Sequence, residues 1–453
     1  MKFKSQSIAY HFFSLSMVLL VLQIIYGFIM GFAHMGYDGL HEWIPFNTAV
    51  TTHKNLLVVW ILSGFMGAAY YIIPDESDND LYSLPLAKLQ FWSFAIVGVT
   101  AVIGFHFGWW EGRKFLEIPR PLDYLVAGNI ILFLVIILLT LLNGKQKTTT
   151  SWVLTMGLVF AALLYLPGMI YFDNIAVDSF FRWWVVHLWV EGVWELIMGG
   201  ILSYLLIKIT GVDREVIEKW LYVVVGLTFL SGILGTGHHY YYTGGPSYWL
   251  MVGGIFSALE PLAFLAMTVF AVQMYRKGNK KHPNKLALYW TMNTAIVSFL
   301  GAGLLGLAHT LPGVNLYTHG TLITAMHGHL AFWGAYASLI LAIISYAMPI
   351  MTGRKIYDNT NGHLAFWCSN IGMIAMTAAF AAAGIAQVYL ERIAGFEFMV
   401  AAEETKPHFF VLIIAATLFT VGIIFFIINF LKFGKPTDDA IQSEEEFEAL
   451  KSA

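Results

Sequence analysis

Six of the 15 histidines lie inside long apolar runs, and their spacing is that of metal ligands. The densest group is His327-Gly328-His329. On a helix, residues two apart point about 200° away from each other. These two imidazoles therefore cannot share one metal, but they can hold two metals on opposite sides of one helix. Gly328 removes bulk where two flat macrocycles would crowd together. Haem iron takes axial histidine. Two axial histidines make an electron carrier, whereas one leaves an open face for a ligand. His53, in another apolar run, is the natural second axial ligand for one haem.

A second group is His187 and Glu191 in VVHLWVEGVWE. Spacing i, i+4 puts both on one helix face, and an imidazole beside a carboxylate suits non-haem iron. His238-His239 adds two nitrogens. Adjacent helical residues diverge by about 100°, so the backbone there must adapt for both to reach one ion. Three imidazoles and one carboxylate make a site for ferrous iron. Zinc fits the donors too, but it does no redox work beside a haem.

Lipid is the solvent such a cluster implies. The 453 residues are 58% hydrophobic and only 12% charged, about half the charged fraction of a soluble domain. A soluble chain this apolar would expose aggregating patches. The net charge of −3 carries no nucleic-acid signal, and a single cysteine, Cys368, excludes disulfides within the chain and cysteine metal sites. A bilayer core of about 30 Å needs roughly 20 apolar residues per helix. On that rule twelve spans are expected, near 8–33, 48–74, 87–110, 121–143, 150–172, 180–209, 216–242, 247–275, 286–311, 318–350, 363–391 and 407–432. The first run is too long for a signal-peptide core of about 7–15 residues and reads as a retained helix. The expected fold class is all-α integral membrane. Residues 1–434 form one twelve-helix catalytic domain, and 435–453, with the SEEEFEA run, a soluble tail.

Of the 25 Lys and Arg, all but Lys54, Arg113, Lys114, Arg120, Arg182, Arg392 and Lys406 fall on the side of the N-terminus. Positive charge marks the cytoplasmic side, which puts both termini there. His53, His187, His238, His239, His327 and His329 then share one layer in the outer half of the membrane, about 15 Å deep for the last two. One intramembrane histidine is as often a hydrogen-bonded structural residue as a ligand, but six at one depth favour ligands. His11, His34, His41, His106, His282, His363 and His408 fall in loops or near span ends and are expected to be solvated. His309 and His319 flank one outer loop, within reach of haem propionates.

The blocks HLWVEGVWELIMGG (187–200), GTGHHYY (235–241), FSALEPL (256–262) and HGHLAFWGAY (327–336) resemble the large subunit of the cytochrome c-dependent nitric oxide reductases, members of the haem–copper oxidase superfamily. HKNLLVVW (53–60), GFMGAAYYIIP (64–74) and ITGVDREVIEKWLY (209–222) extend the likeness over nearly the whole chain. The resemblance implies a twelve-helix bundle like haem–copper oxidase subunit I, in a bacterial cytoplasmic membrane. It implies that His53 and His329 ligate low-spin haem b, that His327 ligates high-spin haem b3, and that His187, Glu191, His238 and His239 bind the non-haem iron. Glu195 and Glu260 match acidic residues beside that iron, and with Glu117 and Asp178 they are candidates to relay protons. The implied reaction converts two NO to N2O and water.

The rival is an oxygen-reducing haem–copper oxidase. Such enzymes resemble this chain in their histidines but usually carry tyrosine where Glu191 stands, and copper rather than iron. With one cysteine there is no CxxCH haem-c motif, so electrons must come from a partner. The resemblance implies a small membrane-anchored cytochrome c subunit on the outer face. One departure stands in EGRKFLEIPR (111–120). Related subunits usually carry glutamate at the place of Lys114, where it helps bind a calcium that bridges haem propionates. A lysine repels calcium and attracts carboxylates, so Lys114, with Arg113, is expected to pair with the propionates directly; the alternative is that Lys114 points to water and Glu117 or Glu111 keeps the calcium.

Overall fold

The computed structural model describes residues 1–37, 39–278 and 282–437. Twelve helices are long and apolar enough to cross a membrane. They are Lys4–His34 (α1), Phe46–Ser77 (α2), Leu84–His106 (α3), Arg120–Leu142 (α4), Thr149–Gly168 (α5), Ile175–Thr210 (α6), Arg214–Tyr240 (α7), Tyr248–Lys277 (α8), Lys285–Thr310 (α9), Leu322–Thr352 (α10), Thr360–Ile393 (α11) and Phe398–Phe433 (α12). The chain is a multi-pass membrane protein. Lys280, Lys281 and residues 438–453, most of the expected tail, lie outside the described residues.

The apolar runs set the helices, and polar side chains set their starts. Ser83, Thr148, Asn174, Asp213, Asn284, Thr321 and Asn359 each accept a bond from a backbone N–H in the first turn of the helix that follows. Several boundaries move by a few residues from expectation, and two of the shifts have a local cause. α12 begins nine residues before the expected 407, because Glu403, Glu404 and Lys406 form a polar helical turn ahead of the apolar run and Pro407 is accommodated inside the helix. α10 begins at Leu322 rather than 318, because Pro312–Thr318 form a separate short helix.

The bundle has an inside. In α2, α6 and α10 the most apolar stretch is 78%, 78% and 89% buried, against at most 44% in every other span. These three helices carry His53, His187 with Glu191 and Glu195, and His327 with His329. Much of the chemistry-bearing set is therefore on the most enclosed helices, with His238 and His239 added from α7 and Glu260 from α8. Where the core helices meet their neighbours, the backbone leaves α geometry. Trp189–Val193 in α6, Phe299–Leu305 in α9 and Trp333–Ala337 in α10 are π-helical, a distortion that collects at functional sites.

Asp75 lies about 33 Å beyond His53 along α2, at 1.5 Å per residue. There Lys208 Nζ and the Tyr204 hydroxyl both reach Asp75 Oδ2 at 2.9 Å. Arg214 grips Glu76 with two bonds of 2.6 and 2.8 Å. This ion-paired network closes the bundle at the end opposite the histidines.

Candidate metal centre

A cavity of about 850 Å³ runs among α1, α2, α6, α7, α8, α9, α10, α11 and α12. Protein interiors leave few voids larger than a water molecule, so a space this size holds something. All six histidines singled out above line it, as do Glu191, Glu195 and Glu260.

One wall holds four metal donors. His187, Glu191, His238 and His239 each present a ligand atom within 4.8 Å of the others. His187 Nδ1 is 3.4 Å from Glu191 Oε2, and His238 Nε2 is 3.9 Å from the same oxygen. The opposite nitrogens are held. His187 Nε2 donates to Gly232 O at 2.7 Å, and His238 Nδ1 pairs with Ser257 Oγ at 2.8 Å. The His239 ring stacks on Trp183 at 4.5 Å and 4°. Such outer contacts fix ring orientation in metal sites. His187 Nδ1 and Glu191 Oε2 are buried without a hydrogen-bond partner. An unpaired buried polar atom costs about 1–3 kcal/mol, and a cation bound by all four donors removes that cost. The donor set fits a divalent iron.

The backbone makes this convergence possible. α7 ends in a 3-10 segment, Thr236–Tyr240, whose tighter turn sets His238 and His239 side by side with ring centroids 4.3 Å apart. Glu191 sits in the π segment of α6 with φ −107° and ψ 31°, outside helical values. Gly232 faces it from α7, where a Cβ would collide with Glu191 O.

His53 and His329 face each other with ring centroids 6.4 Å apart and an interplanar angle of 32°. At about 2 Å per metal–imidazole bond, that spacing admits one flat iron macrocycle between them. His53 Nδ1 donates to Gln23 O at 2.9 Å and His329 Nδ1 to Ala325 O at 2.7 Å, leaving both Nε2 atoms for a metal. His327 turns the other way, its Nδ1 on Gly301 O of α9 at 3.0 Å. The two neighbours across Gly328 thus address different spaces.

Glu195 Oε2 accepts from Thr228 at 2.8 Å. Glu260 Oε1 is buried without a partner. His309 is buried, with Nδ1 on Thr318 Oγ1 at 2.9 Å and Nε2 on Thr324 Oγ1 at 3.1 Å. Lys114 and His319 line the cavity. Burial first, then the cations of Lys114 and Arg392, hold the His319 imidazole below its ordinary value. Arg113 goes elsewhere than expected. It is buried with Nε on Asp178 Oδ2 at 3.0 Å and Nη1 on Gly168 O at 2.6 Å, because Asp178 offers it a carboxylate beside the start of α6. Glu117 is equally committed, to Lys54 at 2.6 Å and Asn55 at 3.0 Å. Sequence reasoning passed over Trp183, Ser257, Gly232 and Tyr336. Ser257 stands three residues before Glu260 in FSALEPL, a signal that could have found it. His34, expected to be solvated, stacks on Phe409 at 4.3 Å and lines the cavity.

The family described as Cytochrome C and Quinol oxidase polypeptide I matches residues 7–425. A nitric oxide reductase subunit of Stutzerimonas stutzeri is 44% identical over 96% of both chains. A Cbb3-type cytochrome c oxidase subunit of the same organism is 22% identical over 84% of both. A haem–copper terminal oxidase dimer, solved by cryo-EM, superposes with a TM-score of 0.78 at 14% identity, covering 96% of this chain and 85% of that one.

Proposed function

Because the chain belongs to the cytochrome c and quinol oxidase polypeptide I family, and within it is 44% identical to a nitric oxide reductase subunit, we propose that it reduces two nitric oxide molecules to nitrous oxide and water. In this reading His53 and His329 hold low-spin haem b, His327 holds high-spin haem b3, and His187, Glu191, His238 and His239 hold a non-haem iron. When bound, the haems carry the electrons and the paired irons gather the two substrates, chemistry that belongs to the cofactors. The protein supplies ligands, orientation and protons. The observation that carries the reading is one cavity in which a four-donor iron site and three further histidines meet.

Glu195 and Glu260 stand at the cavity wall as the last carriers of the two protons. Glu260 Oε1, buried at the cavity wall without a hydrogen-bond partner, is placed to carry one there. Glu117 and Asp178, at the same end of the bundle, are fixed by Lys54 and Arg113 and serve as entry points rather than mobile carboxyls. The cavity lies in the outer half of the membrane, with both termini cytoplasmic, and electrons arrive from a small cytochrome c subunit docked outside. Calcium does not suit the residues near Lys114. It wants six to eight oxygen ligands, both Glu117 oxygens are taken, and Glu111 Oε1 accepts from Arg120 N. Lys114 itself is placed to pair with haem propionates.

The test is haem and iron analysis of the purified complex, with NO consumption and N2O formation followed together. Two haems, one non-haem iron and matched stoichiometry are expected. Oxygen reduction without NO consumption would favour the oxidase reading instead.

A further inference from the structure

Trp194 N–H is the group that would bond Val190 O in a regular α-helix, four residues back. It donates to Trp189 O and Gly192 O instead. Val190 O is met from another helix, because the Tyr336 hydroxyl of α10 donates to it. Val190 immediately precedes Glu191, whose own φ and ψ are non-helical. Tyr336 is 2% exposed, with its ring edge-on to Trp194 at 5.2 Å and to Phe65 at 6.0 Å.

We propose that Tyr336 is a positioning residue for the metal centre, its hydroxyl holding open the π segment of α6 that aims Glu191 at His187, His238 and His239. The physical reason is competition for one carbonyl. Without the hydroxyl, Val190 O is left unpaired in a buried site, or it recovers Trp194 N–H. Recovery removes the extra residue of the π turn, and one residue is about 100° of helix rotation. His187 and Glu195, on either side of the bulge, would then turn relative to each other and Glu191 would leave the cluster. Gly232 secures the same bulge from α7, since only a residue without a Cβ admits Glu191 O there. Tyr336 also lies nine residues after His327 on one helix, so a single bond ties the haem-bearing helix to the carboxylate of the other iron. This rests on the four-donor reading above.

The test uses the purified complex with its haems, comparing wild type, Tyr336→Phe and Phe65→Leu. Loss of non-haem iron to a chelator is timed, and hydrogen exchange is read across residues 189–194. Tyr336→Phe is expected to keep both haem spectra, to shed iron roughly 10- to 100-fold faster, the usual effect of removing an outer partner, and to exchange the 189–194 amides faster. Phe65→Leu trims a ring packed on Tyr336 but leaves the hydroxyl, and is expected to retain iron as wild type does. Site-specific 3-fluorotyrosine at position 336 keeps the donor and is expected to restore retention. Wild-type retention and exchange in Tyr336→Phe would overturn the proposal. So would equal iron loss in Phe65→Leu, iron and haem departing together, or iron loss in the fluorotyrosine protein. Glu191→Gln separates the two readings. Iron content indifferent to Glu191 would sink the metal assignment, while amide exchange in Tyr336→Phe would still decide the bond.

Discussion

His187 Nδ1 and Glu191 Oε2 lie 3.4 Å apart inside the bundle, and neither has a hydrogen-bond partner. Two such atoms side by side describe a bound cation better than a structural contact. Glu191→Gln replaces an anionic oxygen donor with a neutral amide. It is expected to keep both haems and to lower non-haem iron affinity at least about tenfold, the smaller end of what even an outer partner contributes, with NO reduction falling alongside. Iron analysis and NO consumption check it. Unchanged iron content and unchanged turnover would remove Glu191 from the ligand set.

That the six histidines meet, lining one cavity, was legible in the sequence because a shared level follows from a length rule. About 20 apolar residues cross a bilayer, the charged loops orient each crossing, and His53, His187, His238, His239, His327 and His329 then fall at one level. What is hidden is how neighbours bend the helices. The spacing of His187 and Glu191 reads as one α-helical face, yet Glu191 sits in a π segment. That register depends on Tyr336, 145 positions beyond Glu191 in the chain, competing for the Val190 carbonyl. The contacts of Arg113 are hidden for a similar reason. Its partner Asp178 is near only after α6 packs beside the 111–120 loop.

The two histidines flanking Gly328 are expected to lose different haems. His329→Ala removes one of the two imidazoles that face each other at 6.4 Å, and the low-spin haem spectrum should disappear. His327→Ala, whose ring turns toward Gly301, should remove the high-spin spectrum and leave the low-spin one. Optical and EPR spectra of each variant check this. A single variant that abolishes both signatures in a folded protein argues against separate sites.

Turnover is expected to build no membrane potential. In the proposed orientation, the cavity's end of the bundle, which carries Glu117 and Asp178, faces outward, a short distance from the surface. At the opposite end Asp75 and Glu76 are ion-paired to Lys208 and Arg214, so both side chains are held in place rather than free to swing along a proton path. Consumed protons and incoming electrons then enter from the same side and cancel. A potential-sensitive dye in reconstituted vesicles reads the outcome during NO reduction. A potential that develops with turnover and collapses with an ionophore would refute it.

Lys114 is expected to pair with haem propionates without the help of a calcium ion. It lines the cavity that holds the six histidines, and its charge is felt at His319 on the cavity rim. The carboxylates that could have kept a calcium beside it are occupied, Glu117 by Lys54 and Asn55 and Glu111 by the Arg120 amide. An ammonium at that rim is a compact cation with three donors, suited to the propionates of haems seated below. Arg113 does not assist, since Asp178 and Gly168 hold it. A chelator of divalent cations should therefore leave haem spectra and turnover unchanged in the wild-type complex. Lys114→Ala should shift the haem midpoint potentials and slow turnover, because propionate charge loses its partner. Lys114→Glu should make both properties depend on added calcium, since it restores an anion where the ion would sit. A wild-type complex whose haem spectra and activity collapse on chelation and return with calcium would show that the ion, and not the lysine, holds the propionates.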